Sequence, residues 1–208
     1  MYISEKMLSE LRESVKDGMS EKRYRHVAEV EKMAERLAQL YAPEKKDKIC
    51  AAALLHDITK EYRTEQHREV CRKYGIEITE LMESAPKTFH AVTAAALIPD
   101  MYPDFADGEI IDCVRWHTTA RARISIPEAI VYLADYIDDS RTFEDCVALR
   151  HFFWDADPEK MSDAERLEHL RKTLIMSLDM TITALIADGK TVSDDTFKAR
   201  NFLISERL

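Results

Sequence analysis

The chain has 208 residues, 46% of them hydrophobic and 33% charged, with a formal net charge of −9. A chain of that length can bury a real core without staples, and its acidic balance disfavours nonspecific binding to nucleic acid or to an anionic membrane. The four cysteines, Cys50, Cys71, Cys113 and Cys146, are far apart and form no CxxC, which argues against a thiolate metal site or a dithiol redox site.

Each cysteine lies in a helical pattern and reads as a small buried apolar residue. The N-terminal Met1-Tyr2-Ile3-Ser4-Glu5-Lys6 lacks the apolar core of a signal peptide, and no apolar run reaches membrane-spanning length. A reduced, cytoplasmic protein is expected. With only four Gly and six Pro, long regular elements are expected rather than many tight turns.

Residues 4–17 place Met7, Leu8, Leu11 and Val15 at helical spacing, and Gly18 ends that run. Ser20 suits an N-cap. One apolar stripe follows through Tyr24, Val27, Val30, Met33, Ala34, Leu37 and Tyr41, with His26 beside it. Pro43 fits the first turn of a third helix, which runs through Ile49, Ala52, Ala53 and Leu55 into His56-Asp57. Its alanines let another helix approach closely. Thr64 caps a short polar helix through Tyr74, ended by Gly75, with His67 and Arg68 turned to solvent. Pro86 opens the next helix, which carries Phe89, His90, Val92, Thr93, Ala94, Ala96, Leu97 and Ile98 and stops before Pro99. His90 stands in an apolar run, where an unpaired imidazole is costly, so it needs a partner.

Residues 99–108 read as a loop. Asp107 then caps a helix through Ile110, Ile111, Val114 and Trp116, and His117-Thr118-Thr119 follows at its end. Arg121 and Arg123 bracket an irregular segment before Pro127. The helix over 127–139 has Ala129, Ile130, Leu133, Ala134, Tyr136 and Ile137 as its apolar members, with Asp135 among them. A carboxylate placed there is paired, coordinated or protonated. A further helix covers 143–153. Ser162 starts the longest periodic run, Leu167 to Ile186, ended by Gly189, and the segment from Asp194 to Arg207 buries Phe197, Phe202 and Leu203. No repeat and no strand pattern emerges, so the fold class expected is all-α.

The ionisable residues in or beside apolar helical runs are His26, His56, Asp57, His90, His117 and Asp135. Four imidazoles and two carboxylates make a nitrogen and oxygen ligand set, suited to iron, manganese, zinc or cobalt. One bridging carboxylate lets such a set serve two ions, the arrangement that supplies hydroxide near neutral pH and holds phosphoryl oxygens in phosphate chemistry. Lys60 and Arg141 each follow a ligand by a few residues and carry the charge that a polyphosphate needs. Lys60 serves equally as a cation at a helix C-terminus. Arg121, Arg123 and Thr118 are further candidates for substrate contact, although loop arginines are common on surfaces and Thr118 could cap a turn. Tyr24 and Trp116 could stack on a base or pack in the core. His151 and His169 are assigned to surface or structure.

The order His26, His56-Asp57, Asp135 resembles the H…HD…D signature of the HD-domain metal-dependent phosphohydrolases, and His90 and His117 match the extra histidines of its dinuclear branch. The words Arg23-Tyr24-Arg25-His26-Val27, Leu54-Leu55-His56-Asp57-Ile58-Thr59-Lys60, His117-Thr118-Thr119 and Ala134-Asp135-Tyr136-Ile137-Asp138-Asp139-Ser140-Arg141 look like the YqeK family of symmetrical diadenosine tetraphosphate hydrolases. Ala91, Ala120 and Asp138-Asp139 depart from it, standing where Gly, Gly and Glu-Pro are usual.

The resemblance implies an HD-domain helical bundle with additional C-terminal helices, read as one domain over 1–208. The metal-site core would be about 20–145, with packing helices over about 146–208. It implies two metal ions, iron by family preference. His26, His56, Asp57 and Asp135 would hold one, and Asp57, His90 and His117 the other. Asp57 and Lys60 are the catalytic candidates. The expected partner is a nucleotide polyphosphate, with no nucleic acid and no membrane; a homodimer is allowed. Another HD phosphohydrolase acting on a different nucleotide, and a non-catalytic helical module, are the alternatives.

Overall fold

The computed structural model of the protein describes residues 2–206, apart from the side chain of Leu81. Among them eleven α-helices alternate with short 3₁₀ turns, and there is no strand. Helix α1 spans Glu5–Asp17 and α2 spans Glu21–Tyr41, with Ser4 and Ser20 accepting hydrogen bonds from the backbone of the first turns. A 3₁₀ turn over Pro43–Lys45 leads into α3, Lys46–Leu55. Every side chain of α3 from Ile49 to Leu55 is buried. A helix apolar all round belongs at the centre of a bundle, and α1, α2, α7 (Gly108–Trp116) and α8 (Ile126–Ile137) pack around it. Its C-terminus, where His56 and Asp57 follow, therefore opens between helices rather than onto the surface.

Helix α6 (Phe89–Met101) packs on α7 and on α4 (Thr64–Lys73), and α5 (Glu80–Ser84) precedes the 3₁₀ turn that leads into α6. Helices α9 (Glu144–Trp154) and α10 (Asp163–Ala187) pack against α8, and α11 (Asp194–Ser205) packs on α10. One hydrophobic cluster runs from Ile3 to Leu203 and includes the inner faces of α10 and α11. The four cysteines are free and buried. No helix of the described residues is long and apolar enough to cross a membrane.

Several expectations need correction. Pro99 does not stop α6, which continues to Met101. Proline in a last turn forfeits one backbone bond and leaves the rest of the helix intact. The one-turn helix α5 had no apolar periodicity to reveal it. His67 is not at the surface: it is buried, its Nδ1 lies 2.9 Å from Thr93 Oγ1, and its ring stacks on Phe89. Phe197 is 40% exposed, because α11 turns Thr196, Ala199 and Leu203 inward. Arg207, read as the end of that helix, lies outside the described residues. His169 is structural, with Nε2 2.9 Å from the Phe153 carbonyl, whereas His151 is exposed.

Candidate metal centre

Three of the four candidate histidines are set the same way. His56 and His117 follow the last residues of α3 and α7, and His90 lies in the first turn of α6. In each, Nδ1 lies against the backbone carbonyl three residues back: Ala53 at 2.6 Å, Lys87 at 2.7 Å and Val114 at 2.7 Å. A carbonyl can only accept, so Nδ1 carries the proton and Nε2 of the neutral ring is bare. Burial pushes all three imidazoles below their ordinary pKa, His117 to about 4, so they are neutral at pH 7. The local fold thus aims three bare nitrogens into the space beside Asp57.

His26 on α2 and Asp135 on α8 complete the group. His26 Nε2 is 3.0 Å from Asp135 Oδ1 and 3.9 Å from Asp57 Oδ2. His56 Nε2 is 3.5 Å from Asp57 Oδ2 and 3.9 Å from Asp135 Oδ1. On the other side of Asp57, Oδ1 lies 3.3 Å from His90 Nε2 and 3.9 Å from His117 Nε2, and those two nitrogens are 2.9 Å apart. Helices α2, α3, α6, α7 and α8 have brought all six residues together.

The group fits cations. Metal–nitrogen and metal–oxygen bonds of about 2.1 Å place adjacent ligands about 3 Å apart and opposite ones about 4 Å apart, which is the range seen here. His26 Nε2, His56 Nε2 and Asp57 Oδ1 are buried and have no hydrogen-bond partner. His90 Nε2 and His117 Nε2 face each other with their lone pairs turned together, and Lys60 Nζ and Thr118 Oγ1 stand beside them. Two triads, His26/His56/Asp57 and Asp57/His90/His117, share Asp57, and His56/His117/Asp135 overlaps both.

The acidic groups respond to the same surroundings. Burial acts to raise the Asp57 carboxyl, but His56, Lys60 and His90 outweigh it and hold the group below the usual carboxylate range. Burial acts to lower His26, yet the adjacent carboxylates of Asp135 and Asp138 prevail and push it up to about 9. The metal-free protein should therefore be acid-labile before its carboxylates titrate. His56, His67, His90 and His117 all have lowered folded values. The stability they contribute is present above the unfolded value of about 6.5 and is lost as pH falls below it. His26 has the opposite sign: its contribution is full below about 6.5 and is lost as pH rises through 9. Denaturant unfolding of chelator-treated protein should show a lower midpoint at pH 5 than at pH 7; an equal or higher midpoint would contradict the burial of neutral imidazoles.

Of the residues expected to touch substrate, Lys60 and Thr118 stand at the cluster. Lys60 Nζ is 3.1 Å from His90 Nε2 and 3.6 Å from Asp57 Oδ1, and Thr118 Oγ1 is 3.1 Å from His117 Nε2 and 3.2 Å from His90 Nε2. Arg141 lies against Asp135, pairing with its carboxylate and donating from Nε to its carbonyl at 2.9 Å. Arg121 is not brought in: its guanidinium pairs with Glu128 at 2.7 Å and Asp112 at 3.1 Å and overlies Trp116. The buried Glu128 carboxylate claims that charge. Arg123 is exposed, with a φ of +59°. Trp116 carries a guanidinium, Arg115, 4.1 Å from its ring centroid, and Tyr24 packs partly against the core. Ala120 takes a φ of +56°. That is the left-handed region open to glycine, where a Cβ costs about 1–2 kcal/mol.

Two residues at the site escaped the sequence reading. Arg23 Nη1 lies 2.8 Å from Asp57 Oδ2, and the fully buried Asp138 faces His26. Both were signalled by spacing. Arg23 precedes His26 by three residues on one helix, and Asp138 follows Asp135 by three, so each shares a face with a candidate ligand.

The HD domain profile matches residues 23–139, and the chain belongs to the HD-domain family, a family of hydrolases. Over most of its length it is similar to three curated proteins named symmetrical bis(5'-nucleosyl)-tetraphosphatase. The Bacillus subtilis relative is 28% identical, with 92% of this chain and 94% of the relative covered. Those of Halalkalibacterium halodurans and Staphylococcus aureus are 27% and 26% identical, with 93% and 90% of this chain and 95% and 89% of the relatives covered. Its fold is similar to the crystal structure of an HD superfamily hydrolase from Clostridium acetobutylicum, described as involved in NAD metabolism. That match has a TM-score of 0.81 and 30% identity, and covers 95% of this chain and 96% of that one.

Proposed function

We propose that the protein hydrolyses dinucleoside tetraphosphates, diadenosine tetraphosphate among them, symmetrically to two nucleoside diphosphates, with two metal ions at the cluster. His26, His56, Asp57 and Asp135 would hold one ion and Asp57, His90 and His117 the other; iron is the metal proposed. The observation that carries this reading is the convergence on Asp57 of three neutral imidazoles whose Nε2 atoms are left bare by backbone hydrogen bonds. The names of the three relatives supply the substrate class. A pair of cations held there would supply an activated water near neutral pH and would neutralise phosphoryl oxygens.

The chain's own groups do the rest. The Lys60 ammonium stands beside Asp57 and His90, where it can stabilise charge building on a phosphoryl oxygen. The Thr118 hydroxyl, beside His90 and His117, can donate to the same oxygens or to water. Arg23 holds Asp57 from the α2 side.

The test is product analysis. Protein loaded with iron, manganese or cobalt should convert diadenosine tetraphosphate to ADP alone. Equimolar ATP and AMP would contradict symmetric attack. NAD belongs in the same substrate panel, because the solved relative is tied to its metabolism by description; faster cleavage of NAD than of the tetraphosphate would overturn the substrate assignment.

A further inference from the structure

His26 is the exception among the four histidines. No backbone carbonyl fixes its Nδ1. That atom instead lies 3.3 Å from Ser140 Oγ and 3.5 Å from Asp138 Oδ2. Asp138 is fully buried, and its Oδ2 receives no hydrogen bond, only the longer ionic contacts to His26 and, at 3.4 Å, to Arg141 Nε. Its other oxygen, Oδ1, accepts from the Ser140 backbone at 2.9 Å and from the Ser140 hydroxyl. The turn is clamped from α9, where Arg150 donates to the carbonyls of Asp138 and Arg141.

We infer that Asp138 is a positioning residue: with Ser140 it keeps a proton on His26 Nδ1, so that Nε2, turned towards Asp57 and Asp135, is the nitrogen that would give up its proton to a metal. The inference rests on the reading of His26 as a metal ligand. A carboxylate behind a ligating imidazole fixes its tautomer and orientation and raises its basicity. Three ligands obtain their tautomer from the helix backbone, which no side-chain change can remove. His26 obtains it from two side chains, Ser140 and, behind it, Asp138.

Asp138→Asn is the informative change, because it keeps the shape. Its oxygen can replace Oδ1 at Ser140, which puts the amide donor where Oδ2 stood. A donor facing Nδ1 favours the tautomer with the proton on Nε2, the wrong atom for ligation.

The experiment is a zinc titration of metal-free protein against a competing chelator, for wild type, Asp138→Asn and His26→Ala. It is accompanied by ¹H–¹⁵N imidazole spectra of the zinc-loaded wild type. Asp138→Asn should leave one zinc affinity unchanged and weaken the other about 10–100-fold. The wild-type spectrum should show a His26 Nδ1 proton that is shifted downfield and protected from exchange. If Asp138→Asn binds both ions like wild type while His26→Ala loses one, the inference fails and the metal reading stands. If His26→Ala also binds both like wild type, the ligand reading itself falls. Should Asp138→Asn not fold, the spectrum decides: a His26 Nδ1 proton exchanging as fast as a free imidazole overturns the inference.

Discussion

Asp57→Ala should abolish turnover and leave the protein with far less metal than wild type after identical loading. The two oxygens of this carboxylate face different partners. Oδ2 looks towards His56 and His26, at 3.5 and 3.9 Å, and Oδ1 towards His90 and His117, at 3.3 and 3.9 Å. Among the described residues it alone belongs to both the His26/His56 triad and the His90/His117 triad. Removing it therefore takes a donor from two sites at once, whereas His90→Ala takes one donor from one site. Asp57 also carries the only negative charge in the His90/His117 group, so its loss leaves that side with neutral donors alone. Metal content by elemental analysis and turnover should fall together. A well-folded Asp57→Ala protein with wild-type turnover would refute the shared-ligand role.

The helices were legible wherever a cap met an apolar period. Ser20 and Ser162 start α2 and α10 as their sequence suggests, and Gly189 follows α10 in the left-handed region. The six clustered residues were legible for a different reason: imidazoles and carboxylates set among alanines and leucines have no solvent to satisfy them. What the sequence hid were residues whose partners lie on another helix. His67 is an example. Helix α4 has few apolar residues, and only His67 and Cys71, four apart on one face, point inward. The reason for burying His67 lies on α6, where Thr93 meets both its ring and Thr59. Arg141 was visible as a charge near Asp135, but neither the burial of Asp138 nor the long-range clamp from Arg150 that shapes their turn was. Arg121 misled because a loop arginine before a helix that carries a candidate ligand looks free, and only the fold reveals the buried Glu128 beneath it.

Lys60→Met should lower kcat by about 10²–10³-fold, the usual cost of removing one group that stabilises transition-state charge, while metal content stays at the wild-type level. Methionine keeps most of the apolar stem and removes only the ammonium. Two explanations compete for this lysine, and they diverge in measurement. A cation that merely follows the C-terminus of α3 contributes about 0.3–1 kcal/mol through the helix dipole; its loss would show as a small drop in stability with kcat unchanged. The local structure favours a cation aimed at substrate. The Lys60 backbone is tied to the Asp57 carbonyl at 2.9 Å, and the neighbouring Thr59 hydroxyl donates to the His90 carbonyl at 2.9 Å, so the turn is fixed to both α3 and α6. From that platform Nζ reaches the cluster while the side chain remains 32% exposed, open to an entering polyphosphate. Lys60→Arg should recover only part of the loss, because a planar fork cannot take the place of a point charge at 3.1 Å from His90. Wild-type kcat in Lys60→Met, with a slightly lowered unfolding midpoint, would assign the residue to the helix end and leave phosphoryl charge to the metals alone.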